Sequence, residues 1–96
     1  MQISNSVYYR FEPEINGGTL YIYNRETKKI IKSQKIVYEV LRNVEKCKSR
    51  EELLDVLQNM YSTYSYTEIE SVVEKIITNL KELEIISDSN GEPRWM

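Results

Sequence analysis

Near Ser33 the hydrophobic pattern of this chain changes period once, from two residues to between three and four. A side chain repeating every second position lines one face of a strand, whereas a repeat of three and four lines one face of a helix. The first third of the chain is therefore read as sheet and the remainder as helix.

Val7-Tyr8-Tyr9-Arg10-Phe11 alternates with Val7, Tyr9 and Phe11 on one face, the side expected to enter the core. Pro13, which has no amide to donate, ends this strand or keeps it at an edge. Asn16-Gly17-Gly18 is the strongest turn signal in the chain. Thr19-Leu20-Tyr21-Ile22-Tyr23 then sets Leu20 and Ile22 against Thr19, Tyr21 and Tyr23. The polar stretch 24–28 turns the chain again, and residues 29–33 form a third strand. These make a three-stranded antiparallel meander.

Ile36, Val37, Val40, Leu41 and Val44 follow at helical spacing, with Ser33 the expected N-cap. Ser49-Arg50-Glu51-Glu52 has the form of a capping box and opens a helix carrying Leu53, Leu54, Val56, Leu57 and Met60. After the tyrosine-rich connector 61–66, Thr67 is expected to cap a longer helix. Ile69, Val73, Ile76 and Leu80 centre its apolar face, with Val72 and Ile77 on opposite margins. Ile85 and Ile86 close the core, and residues 87–96 read as a polar tail. The expected fold class is α+β and winged-helix-like, a three-stranded antiparallel sheet followed by three helices. Residues 1–96 form a single domain in this reading, with an ordered core of about 7–86. A sheet this small cannot bury its apolar face alone, so the helices must pack on one side of it.

Composition narrows the function. The apolar share of 41% and charged share of 29% are ordinary for a globular protein. Residues 1–6 lack the basic and apolar runs of a signal peptide, and no run is long enough to span a membrane, so a cytoplasmic location without membrane contact is expected. There is no histidine and only one cysteine, Cys47. That removes zinc sites of thiolates and imidazoles, the commonest general base, and the usual nucleophilic dyads. Cys47 is expected to be an inert, partly exposed thiol in a turn, although Lys46 and Lys48 beside it are of the sign that lowers a thiol pKa. No catalytic residue, metal or cofactor is expected.

Charge is unevenly placed. Arg25, Lys28, Lys29, Lys32 and Lys35 face only Glu26 within residues 25–35, a local charge of +4 in a chain of net charge −2. The remainder therefore carries −6. A nucleic-acid binder is usually basic throughout; an acidic body with one basic border suits an acidic partner better. The outer edge of the third strand leaves backbone groups unpaired. The lysines either blunt that edge against aggregation or border a place where a peptide adds as a further strand.

A family likeness bears on this choice. Gly18-Thr19-Leu20-Tyr21-Ile22-Tyr23-Asn24 with Thr27-Lys28-Lys29 resembles the second strand, turn and third strand of the PqqD-like RiPP recognition element. That family is a winged-helix module for leader peptides of ribosomally synthesised precursors. Gln34 to Leu41 is similar to its strand exit and first helix, and Ser49-Arg50-Glu51-Glu52-Leu53-Leu54 to its second. Val72 to Leu80, followed by Leu83-Glu84-Ile85-Ile86, resembles its last helix and closing turn. The likeness covers residues 7–86. Val72 stands where the family usually has Asp, Glu84 where it has Gly, Lys46-Cys47 where Asp-Gly is common, and Ser33-Gln34 where it has Leu-Asn.

The resemblance implies non-catalytic binding of a precursor leader peptide, laid antiparallel along the third strand beside the third helix. A separate maturation enzyme, such as a radical SAM enzyme, a protease or a cyclase, would then act on the precursor. The expected contacts are Lys29, Ile30, Ile31, Lys32 and Ser33 on the strand. On the helix they are Ile69, Val72, Val73, Lys75, Ile76 and Asn79. Arg25 and Lys28 are expected to steer, and Trp95 is a candidate docking residue for the enzyme. Two other classes compete. A winged-helix DNA-binding domain wants a basic last helix, yet here Lys75 and Lys81 face Glu68, Glu70, Glu74, Glu82 and Glu84. A dimerisation or adaptor subunit would use the same edge strand on itself.

Overall fold

The computed structural model describes residues 1–88. Its elements are β1 (Gln2–Ile3), β2 (Val7–Glu12), β3 (Thr19–Asn24), β4 (Lys29–Gln34), α1 (Lys35–Val44), α2 (Arg50–Met60), α3 (Tyr66–Glu82) and β5 (Ile86–Ser87). The α+β architecture expected from the change of period is present: β2, β3 and β4 form an antiparallel sheet in that order, and three helices follow.

Register decides which side chains meet the helices. Ile22 lies opposite Tyr9 and Ile31, and Leu20 opposite Phe11 and Ser33. Leu20 and Ile22 are fully buried against Val40, Leu41 and Val44 of α1, Leu53, Leu54 and Leu57 of α2, and Val73 and Leu80 of α3. Burial of each such side chain contributes about 2 kcal/mol. The opposite face, with Tyr8, Tyr23, Ile30 and Lys32, stays in solvent. Tyr9, expected in the core, is 37% exposed. It sits on an edge strand at the border of α1, where Tyr38 covers Phe11 in a stacked contact of 4.4 Å and meets Tyr9 only edge-on at 6.3 Å.

Two turns hold this register. In the first, Asn16, Gly17 and Gly18 all have positive φ, and the Gly18 amide donates to the Ile15 carbonyl at 2.9 Å. A Cβ on Gly18 would lie 2.7 Å from Cζ of the Phe11 ring, which Tyr38 already backs. In the second, the carbonyl of buried Asn24 accepts from the Lys28 amide at 2.7 Å, and its side-chain Oδ1 accepts from Ser6 Oγ and the Glu26 amide.

The helix starts depart from expectation. Ser33 is still in β4, and α1 begins directly after Gln34, which makes no side-chain cap. Ser49 caps α2 as expected, accepting from the Glu52 amide at 3.2 Å. The Glu52 carboxylate, however, accepts from Lys48 rather than from Ser49. For α3 the cap is Ser65, not Thr67: Ser65 and Glu68 form the reciprocal box at 3.2 and 3.1 Å. Both residues have a Glu three positions on. Glu70, the one Thr67 would need, is instead bound to Arg50, which also pairs with Glu74 and so ties the start of α2 to α3. These two partners, Glu70 first, hold the Arg50 guanidinium above its ordinary pKa.

At its end α3 closes in a Schellman turn. The Ile85 amide donates to Leu80 and the Glu84 amide to Lys81, with Glu84 at φ 60°. This is the position where the resemblance expects glycine, and the left-handed backbone explains that preference. The turn throws Ile85 into the core and sends Ile86 and Ser87 to pair with Ile3 and Gln2. Ser87, read from the sequence as the start of the tail, is thus a strand residue. Trp95 lies outside the described residues.

Glu84→Gly is expected to stabilise the protein by about 0.5–1 kcal/mol, by relieving the left-handed residue. Gly18→Ala should destabilise it by more than about 1 kcal/mol. Urea denaturation of the two variants reads both signs; shifts in the same direction would contradict the turn geometry.

Candidate functional site

The sheet has two outer edges with no strand beside them among the described residues, those of β2 and β4, and the β4 edge lies beside α3. β4 pairs with β3 on its inner side, and among the described residues no strand pairs with its outer side. The chain's own last strand goes to β1 instead. Alternate amides and carbonyls of Lys29–Gln34 therefore point away from the sheet without a ladder partner. Because successive side chains alternate, Ile31 and Ser33 lie on the helix side of β4, while Ile30 (69% exposed) and Lys32 lie on the solvent side.

A cleft runs between this edge and α3. Its inner part is a narrow hollow of about 40 Å³ lined by Ile31 and Ser33 of the strand, Ile76 and Asn79 of α3, and the core residues beneath. A second, wider hollow of about 430 Å³ lies where β4 passes into α1, with Gln34 next to Ser33 in sequence and Val72 one helical turn before Ile76. Ile36, Tyr61, Tyr64, Ile69 and Val72 line this wide part, with Gln34, Lys35 and Glu68 at the border. Val72 is 39% exposed. With Ile36, Tyr61 and Tyr64 it forms a contiguous apolar lining open to water, an arrangement that suits a docking surface.

The expected contacts divide on the structure. Ile31, Ser33, Val72, Ile76 and Asn79 line the cleft, and Lys29 lies on the same strand edge. Ile69 is buried and reaches the cleft only as the floor of its wide end, while Val73 is fully buried in the core and does not line it. Helical spacing alone does not separate the rim of an apolar stripe from its centre. Lys75 lies on the outer face of α3 with Glu74, Thr78 and Glu82. Ile30 and Lys32 face solvent, and Lys32 sits over the Tyr21 ring at 5.8 Å. Arg25 is turned over Tyr8 at 5.1 Å, which places it toward the far strand of the sheet rather than the cleft. Lys28 and Lys29, at the start of β4, make no ion pair among the described residues.

Sequence reasoning missed the wide end. In the sequence Tyr61 and Tyr64 stand only as part of a connector and Ile36 as part of an apolar helix stripe, yet Tyr64 is half exposed and Ile36 only partly covered. The signal available was the density of tyrosines in a connector with few aliphatic neighbours. Tyr61 is the deeper of the two, and burial pushes its hydroxyl above the ordinary range, with Glu39 acting in the same direction.

Cys47 is buried, contrary to its expected exposure. Burial raises its thiol pKa, as does nearby Glu52, against a lowering from Lys46. The thiolate is thus disfavoured. No group of three or more acidic, histidine or cysteine residues that could hold a metal ion occurs among the described residues. No helix of the described residues is long and apolar enough to cross a membrane.

The fold and site define an α+β domain with an open strand edge flanked by a helix. No family model and no curated protein matches the sequence. A solved structure, TbiB1 in complex with the TbiA(beta) leader peptide, has the same fold with a TM-score of 0.75. It is 17% identical in sequence and covers 98% of this chain and 100% of its own.

Hydrogen exchange tests the open edge directly. Amides of β3, flanked by strands on both sides, should be protected, whereas the outward half of the β4 amides should exchange nearly as fast as those of a loop. Uniform protection along β4 would mean that its edge is covered.

Proposed function

We propose that this chain is a non-catalytic peptide carrier. It binds the leader segment of a ribosomally synthesised precursor as an added antiparallel strand on β4, with α3 as the side wall, and presents the rest of the precursor to a separate modifying enzyme. The observation that carries this reading is the unpaired edge of β4 running beside an apolar cleft. Support also comes from the fold it shares with a protein solved with a leader peptide.

Strand addition divides the work between backbone and side chains. Ladder hydrogen bonds to β4 supply affinity for any extended chain, and the cleft accepts every second guest side chain, so it supplies selectivity. Holding leader and enzyme together makes modification effectively intramolecular, which raises the local substrate concentration without any chemistry in the carrier. The absence of histidine from the sequence and the raised pKa of buried Cys47 fit a role without catalysis. The outward face of α3, with Glu74 and Glu82 beside Lys75, is poorly suited to a phosphate backbone.

A binding isotherm with the leader encoded beside this gene tests the proposal, repeated with Ile31→Asp and Val72→Asp. Each substitution puts a carboxylate into the apolar cleft and should weaken binding by about tenfold or more. Unchanged affinity in both variants would remove the cleft as the binding site.

A further inference from the structure

We propose that the cleft selects guests of one polarity: a bulky apolar side chain toward the guest's N-terminus, followed about five residues later by acidic residues, the length of β4. This rests on the strand-addition reading and specifies the peptide class that the site takes.

The two ends of the edge differ in kind. At the Gln34 end the cleft opens into its wide hollow, walled by Ile36, Tyr64 and Val72 and floored by Ile69. Its bordering charges, Lys35 and Glu68, are of opposite sign and offset each other for a guest at the hollow; the hydrogen bond that Glu68 accepts from the Ser65 amide leaves its charge in place. The hollow therefore rewards apolar volume and gives little to a net charge. Toward the Lys29 end the narrow hollow reaches no further along the strand than Ile31, and the edge begins at the turn 25–28, where Glu26 offsets one of the cations. There Lys28, held at φ 59°, and Lys29 are both exposed and without an ion-pair partner among the described residues. Arg25 and Lys32, by contrast, are stacked on Tyr8 and Tyr21.

Direction follows from the sheet. β2, β3 and β4 are antiparallel throughout, and an antiparallel addition forms the stronger ladder. A guest antiparallel to β4 has its N-terminal part beside Gln34 and its C-terminal part beside Lys29. The wide hollow thus receives an early residue, and the lysine pair meets later ones. Carboxylates at the late positions gain attraction in place of repulsion, chiefly in association rate and in a salt-dependent way.

Synthetic peptides of equal length test this against the full chain by fluorescence anisotropy. One carries an early Phe and late Asp residues, a second has the same sequence reversed, and a third has the Phe replaced by Ser. The first should bind tightest, with the other two weaker by about tenfold or more. Tyr64→Ala should reduce binding of the first peptide and leave the Ser peptide unaffected. The fold should tolerate that variant, because Gln58 bonds the backbone carbonyl of Tyr64 and not its ring. Lys28→Glu combined with Lys29→Glu should slow association of the first peptide, and added salt should erase the difference. If the reversed peptide binds as well or better, the polarity is wrong while strand capture stands. If no peptide binds although the β4 amides exchange freely, the strand-addition reading itself fails.

Discussion

Asn24 is a polar residue in the core, and the register of the sheet depends on how its hydrogen bonds are met. Its carboxamide oxygen takes the Ser6 hydroxyl and the Glu26 amide, while its carbonyl takes the Lys28 amide. A buried amide without such partners would be strongly unfavourable, so these contacts are close to obligatory for the fold. They set the length of the turn into β4, and with it the pairing of Ile31 with Ile22. A slip of one residue would turn Ile31 and Ser33 to solvent and bring Ile30 and Lys32 to the helices. The cleft would then have lysine for a wall.

The open edge depends equally on where the end of the chain goes. An unpaired strand is a hazard, and the nearest available cover for β4 would be the protein's own last strand. The Schellman turn after α3 directs Ile85 inward and delivers Ile86 to Ile3. Both short strands thereby have a partner, while the outer side of β4 has none among the described residues. The exposed lysines along this strand, Lys29 and Lys32, blunt the edge against self-pairing, because charged side chains on an edge strand oppose the close approach of a second copy. In the proposed function the same residues would also favour an acidic guest.

Much of the fold was legible because hydrophobic period is a local signal that core burial amplifies. The three strands, three helices and their order follow from Val7 to Leu83 read in steps of two and then of three and four. The caps were less legible. Ser65 and Thr67 each begin a plausible capping box, and the choice fell to Arg50, whose claim on Glu70 comes from another helix. Tyr9 and Cys47 were misplaced for a related reason: the coverage of an edge strand or a turn depends on what packs over it. At the site, Val72, Ile76 and Asn79 were legible as one margin of α3. Val73 and Ile69 were not separated from them, since a stripe does not show where its neighbours end.

What the amino-acid sequence determined alone was the inventory: a short meander with a basic border, three amphipathic helices, no histidine and a single cysteine. These follow from composition and periodicity, which need no knowledge of distant contacts. What only the tertiary structure decided was which surfaces stay open. Whether the edge of β4 is covered, whether Tyr64 joins the cleft, and whether Arg25 faces it all depend on residues far apart in sequence arriving together. No local pattern carries that information, because each arrangement is settled by packing of the whole core.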